Sequence, residues 1–204
     1  MSAGVVFHVW ILLQSLGATI DGAAFEQIRR SAEPLSGLST FLEKYVGECS
    51  DAVGPNCRSR SADFRSKANG RRYHLVIAEE AVNMLSPGRY DAARDDFEIK
   101  ITPFFGAGSY AVTQGTPKRT DGQGNPLMPL IVAHAKLLNR WTPERFARMF
   151  SSQELRVEVV FTPKGPWILP RKGGGKIHGI NAQVEAIKVV VSRSGEALAI
   201  WTAK

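Results

Sequence analysis

Between Met1 and Ile20 the chain has no charged side chain, and this absence says more than anything present. A nearly all-apolar run, Val5 to Leu13, gives way to small residues ending in Gly22-Ala23-Ala24, just before the polar sequence at Phe25-Glu26. That order reads as a secretory signal peptide over residues 1–24, hence an exported protein, periplasmic or extracellular. The segment also lacks the Lys or Arg of an ordinary n-region, so two other readings stay open. One is an uncleaved anchor, since Ala3 to Ile20 reaches the lower edge of a span despite His8, Gln14 and Ser15. The other is a buried first helix. Beyond residue 24 no stretch is apolar enough to cross a bilayer, so no transmembrane span is expected in the mature chain, 25–204.

Cysteine is nearly absent too. Only Cys49 and Cys57 occur, with no histidine between or beside them, which leaves too few ligands for zinc. The spacing is not the Cys-x-x-Cys of a redox site. Two close cysteines in an oxidising compartment point instead to one structural disulfide, closed over the turn Gly54-Pro55-Asn56.

Catalytic signatures are missing as well. His8 leaves with the signal, and His74, His134 and His178 are far apart, with no His-x-x-x-His or His-Glu-x-x-His. Each reads as a surface or hydrogen-bonded histidine. Glu79 and Glu80 are adjacent, so on a strand they point to opposite faces, which weakens any acid–base pairing and reads as a solvated strand end. No serine sits in a Gly-x-Ser-x-Gly elbow. Phe105-Gly-Ala-Gly-Ser109 lacks the third glycine and following helix of a dinucleotide loop, and reads as a bulge or tight turn. The stretch from Arg119 to Asn125 has one carboxylate where a calcium loop needs several. No cofactor or metal is expected, and the balance leans away from an enzyme.

What is present describes one folded domain. Hydrophobic residues make up 44 % and charged residues 22 %, ordinary for a globule. Loss of residues 1–24 removes Asp21 and no base, raising the formal charge from +7 by one. A positive balance favours polyanions, and for an exported protein these are lipid head groups or acidic glycans sooner than nucleic acid.

Leu38, Phe41, Leu42 and Tyr45 mark one face of a helix, with Gly47 just past its end. Arg58 to Arg72 reads as a solvated connection closed by the Asn69-Gly70 turn. Period-two alternation follows at Tyr73/Leu75/Ile77, at Phe97/Ile99/Ile101 and at Leu155/Val157/Val159/Phe161, each a strand with one wet face. Near the C-terminus the parity changes. Ala182, Val184 and Ala186 take even positions, Ile187, Val189 and Val191 odd ones. A continuous strand would turn its apolar face over mid-course, which calls for a bulge or break near Ala186-Ile187. Ser192 to Glu196 turns the chain and Ala197 to Trp201 returns as a hairpin partner. Pro143 opens a short helix with Phe146, Met149 and Phe150 on one face. Ile131 to Leu138 fits either a strand or a short helix, and residues 115–129 form a long exposed loop. The fold class is α+β: an N-terminal helix packed on a curved, mostly antiparallel sheet, with one further short helix.

The most distinctive segment runs from Pro166 to Lys176. Trp167 precedes three cations, Arg171, Lys172 and Lys176, which surround Gly173-Gly174-Gly175. Glycines let backbone N–H groups converge on an anion, and Arg and Lys add charge. It is no Walker loop, because Pro170 and Ile177 stand where Gly and Ser/Thr belong. Trp167, Arg171, Lys172 and Lys176 are the candidate ligand-binding residues. The competing reading is a basic connection between two strands.

Thr102-Pro-Phe-Phe-Gly-Ala-Gly-Ser109, Gly124-Asn-Pro-Leu-Met-Pro129 and Val160-Phe-Thr-Pro-Lys-Gly-Pro-Trp-Ile168 resemble segments of an uncharacterised family of exported myxobacterial-type proteins. That resemblance covers most of the mature length and brings no activity, ligand or site. In architecture and length the chain is similar to periplasmic lipoprotein carriers, which have an apolar concave face. The expected function is therefore an exported cell-envelope protein, a non-enzymatic domain binding an anionic or amphiphilic partner or a protein. The alternatives are a carrier of lipid or acyl chains and a hydrolase whose site is assembled from scattered residues.

Overall fold

The structure is a computed structural model that describes residues 22–47, 57–78, 84–93, 96–107, 110–119, 127–136, 143–151, 154–170 and 175–203. Residues 1–21, Cys49, the side chain of Cys57, Glu79 and Glu80 lie outside that description. The cleavage and disulfide expectations fall there, apart from Gly22, Ala23 and Ala24.

Two long strands organise the molecule. β8 (Leu155–Pro170) and β9 (Lys176–Val191) are 16 residues each and pair antiparallel along their whole length. On the far edge of β8 lies β2 (Tyr73–Ile77), followed by the two-residue β1 (Glu33–Pro34), which pairs parallel with β2. The far edge of β9 has two tenants. Its first half takes β6 (Tyr110–Gln114) in parallel, with β5 (Phe104–Ala107) beyond; its second half takes β10 (Ala197–Thr202) antiparallel. A separate three-stranded sheet, β3 (Leu85–Asp91), β4 (Asp96–Ile101) and β7 (Ile131–Lys136), completes a half-barrel. The ambiguous segment at Ile131 is thus a strand. Phe105, Gly106 and Ala107 lie in β5, with Ala107 the register partner of Tyr110, while Gly108 and Ser109 lie outside the described residues.

The main sheet curls because its strands contain extra residues. Val160 pairs with Ala186 and Phe161 with Val184, so Glu185 is an inserted bulge residue, one position from where the parity change put it. Val184 and Ile187 can both face inward as a result, while Ala186 faces outward. Lys164 is a second insertion, on β8. It turns Trp167 to the outer face although Phe161, of the same parity, points in.

Helix α2 (Leu38–Val46) lies on the inner face and buries Phe41, Leu42, Tyr45 and Val46, as its spacing predicts. Gly47 ends it at φ 65°, where its N–H reaches the Glu43 carbonyl at 2.9 Å. A Cβ there would stand 2.0 Å from Ser61 Oγ, so the position needs glycine for conformation and for space.

The expected solvated connection from Arg58 is instead a helix, α3 (Cys57–Ala68). Its sequence is polar on nearly every side, so no apolar face announced it. Tertiary contacts hold it. Arg65 donates to the Tyr45 carbonyl at 3.0 Å, satisfying an end of α2 that has no partner within its own helix, and Phe64 meets Phe41 edge-on at 5.5 Å. The Asn69-Gly70 turn follows as expected, with Gly70 at φ 81°.

β2 and β4 alternate as anticipated, but β8 has no wet face between Val157 and Thr162. The reason is the N-terminal helix, α1 (22–30), which lies on the outer face. There Phe25 is fully buried on Val160 and Ala186, flanked by Ile28, Ala32 and Ile200. Lys188 Nζ stands 5.1 Å over the Phe25 ring and 3.2 Å from Glu26. Helix α4 (Pro143–Ser151) starts at its proline and buries Met149 and Phe150 in the main core. Among the described residues no helix is long and apolar enough to cross a membrane.

Candidate functional site

Of the four residues chosen from the basic segment, two can be placed. Trp167 is only 5 % exposed. Its ring lies across Gly179, and its N–H donates to Thr113 Oγ1 at 2.9 Å. The indole therefore fills the outer layer of the sheet and its one polar atom is spent. Lys176 is exposed at the start of β9, opposite Pro170, and Ile168 beside it is 56 % exposed. Arg171 and Lys172 lie outside the described residues. The structure thus separates the aromatic, opposite Gly179, from Lys176, opposite Pro170.

Two of the histidines, His74 and His134, stand beside carboxylates. His74 Nε2 is 3.2 Å from Glu158 Oε2, and both side chains are largely buried. Lys188 at 3.9 Å and Arg156 at 3.6 Å flank the other Glu158 oxygen. With Glu26 and Arg29 from α1 this makes a continuous charge network beneath the N-terminal helix. His134 is half-exposed and 3.5 Å from the buried Asp96. Among the described residues no group of three His, Cys, Asp or Glu is placed to hold a metal.

A cleft of about 320 Å³ opens at the edge of the same face. Ser31 and Glu33 line it from the segment after α1, Gly70, Arg71 and Arg72 from the turn into β2, and Thr162 from β8. Its scaffold is the bulge. Glu185 reaches the outer face, accepts a hydrogen bond from Thr162 at 2.6 Å, and pairs with Arg72 at 2.6 Å. Arg72 also donates to Ser31 Oγ, which itself donates to the Ile28 carbonyl. Arg71 pairs only loosely, with Glu33 at 3.1 Å, where both side chains are 55 % exposed. Sequence reading passed over these arginines as the end of a solvated connection. Their signal was the turn glycine beside them, which lets adjacent side chains converge.

Two carboxyls of this face are held below their ordinary value. For Glu26 the Arg29 hydrogen bond is the largest influence, opposed by burial and reinforced by Lys188. For Glu185 burial pushes upward most strongly, but the hydrogen bonds from Arg72 and Thr162 and the charges of Arg72 and Lys164 together outweigh it. A carboxyl lowered on folding stabilises the fold above its unfolded pKa, and the contribution disappears as pH falls through the folded value. Changing both residues to Gln should lower stability at neutral pH and flatten its decline on acidification. Urea midpoints measured from pH 7 down to about 3 test this. Parallel profiles for the wild type and the double variant would contradict it.

The inner face has a different character. Leu75, Ile77, Val157, Val159, Phe161, Ile180, Val184, Ile187 and Val189 line it, with Val112 and Phe105 continuing onto β6 and β5. Comparison with known proteins adds one finding: a family model described as a family of unknown function (DUF6066) matches residues 1–204. No curated protein and no solved structure matches the chain.

Proposed function

The chain belongs to the DUF6066 family of unknown function, and on that footing we propose that it is an exported, non-enzymatic envelope protein of myxobacterial type. It holds an amphiphilic partner whose acyl part lies against the inner face of the half-barrel. What supports this reading is the pairing of that face with its cover. The face is apolar from β2 across to β6, and α2 covers it through side chains, without a strand hydrogen bond to the sheet. A β-sandwich would place a second sheet there. The residues of that face are at most 9 % exposed beneath the nine-residue helix, so an acyl chain reaches them by displacing that helix, and such chains gain roughly 0.8 kcal/mol for each CH₂ removed from water. An acidic head group suits the positive balance of the chain and the cations Arg171, Lys172 and Lys176.

The test is composition. Protein prepared from envelope extracts without detergent is extracted with organic solvent and analysed by mass spectrometry. Acylated molecules near one per chain are the expected result. An empty extract, together with failure of the protein to bind a fluorescent fatty acid, would overturn the reading.

A further inference from the structure

We propose that the outer-face cleft binds a tetrahedral oxyanion, a phosphate or sulfate ester group carried on a larger molecule. The polar lining is built from segments far apart in sequence, and its groups have distinct duties. Arg72 is fixed at two points, by Ser31 Oγ and by Glu185 at 2.6 Å. Thr162 holds the other oxygen of Glu185 at 2.6 Å, so that carboxylate is fully engaged. Among the described residues Arg72 Nε has no hydrogen-bond partner. Arg71, next in sequence and lining the same cleft, has the exposed Glu33 against it as its side-chain ion-pair partner among the described residues.

Arg72 is matched by Glu185, so the group left to an incoming anion is Arg71, held by an exposed carboxylate at the mouth of the cleft. Its planar fork matches the oxygens of phosphate or sulfate better than a point charge would. The cleft, at about 320 Å³, has room for part of the molecule to which such a group is attached. Glu33 then acts as a built-in competitor, occupying Arg71 until a stronger acceptor displaces it. Because exposed ion pairs are weak, that displacement costs little.

This inference does not rest on the inner-face reading. The cleft lies on the opposite side of the sheet, so lipid extraction and oxyanion binding can fail separately.

The experiment titrates the mature chain at low salt with inorganic phosphate, with glycerol phosphate, and with phosphatidylcholine vesicles with or without phosphatidylglycerol. Wild type is compared with Glu33→Gln, Arg71→Gln and, as a control for general charge, Arg119→Gln, an exposed arginine elsewhere. Removing the competitor should tighten binding about two- to fivefold in Glu33→Gln. Losing the fork should weaken it about tenfold or more in Arg71→Gln. Arg119→Gln should bind as wild type does. Binding of the free esters identifies a soluble source, and Arg71-dependent binding of phosphatidylglycerol vesicles alone identifies a lipid head group; either supports the site. The melting temperature of each variant reports folding separately. If Arg71→Gln binds every probe as wild type does, or Glu33→Gln binds more weakly, the proposal fails.

Discussion

Alanine at position 179 is expected to unseat Trp167 and destabilise the fold by about 2–4 kcal/mol. The cause is steric. A Cβ on Gly179 would stand 2.1 and 2.4 Å from two indole carbons and 2.6 Å from the Ala111 carbonyl oxygen, one obstacle on each neighbouring strand. The indole cannot tilt away without breaking its bond to Thr113, whose hydroxyl also bonds the Gly115 carbonyl at 2.7 Å. The change therefore adds an unsatisfied buried donor to the strain of overpacking. Urea unfolding measures the loss, and exposure of Trp167 should shift the tryptophan emission to the red. In a Trp167→Ala background the same substitution is relieved of the two indole contacts and should cost distinctly less, so the pair should be non-additive. Strict additivity would mean that the ring does not rest on Gly179.

Phe25→Ala is expected to release the whole N-terminal helix. Phe25 is fully buried and is the one buried residue of α1, packed on Val160 and Ala186. Its removal should cost about 3 kcal/mol, the lower end for a buried aromatic because the helix can withdraw and leave no cavity. Residues 22–30 are too few to stay helical alone. Hydrogen exchange in α1 should rise to that of an open chain, and exchange at Val160 and Ala186 should rise with it. The result also bears on processing. A chain cut after Ala24 keeps Phe25 and should melt with the uncut protein, whereas one starting at Ser31 should behave like Phe25→Ala. If Phe25→Ala melts as wild type does, α1 contributes nothing to the outer layer.

How far the sequence revealed this architecture depends on whether a residue's partner is near in sequence. The α2 face, the Gly47 stop, the Pro143 helix and the β9–β10 hairpin were all legible, because period and turn chemistry are local signals. The parity change around Glu185 was legible for the same reason, and it placed the bulge within one residue. Helix α3 was not, since its stability comes from Arg65 and Phe64 meeting α2. The double burial of β8 was hidden too, because the cover over Val160 comes from Phe25, far away in the chain. The cleft was the least visible of all. Its lining joins positions 31, 33, 70–72 and 162, and only strand pairing brings those together. Trp167 shows the converse, a residue conspicuous in the sequence whose aromatic surface the fold uses for packing.

The two long strands have a consequence for the order of events in folding. β1, β2, β5, β6 and β10 all belong to a sheet whose only continuous members are β8 and β9, and these begin at Leu155. During synthesis the first three-quarters of the chain can form its helices, the small β3–β4–β7 sheet and the short β1–β2 and β5–β6 pairs, but β2 and β6 have no long strand to join until the final fifty or so residues emerge. Contacts that distant in sequence make for slow folding, because the intervening chain must be closed before any pairing rewards it. The main sheet of such a chain stays open until β8 and β9 are both available. After the last strand is delivered, assembly of the main sheet is a single late step, and its edges are the surfaces exposed to unwanted association until then.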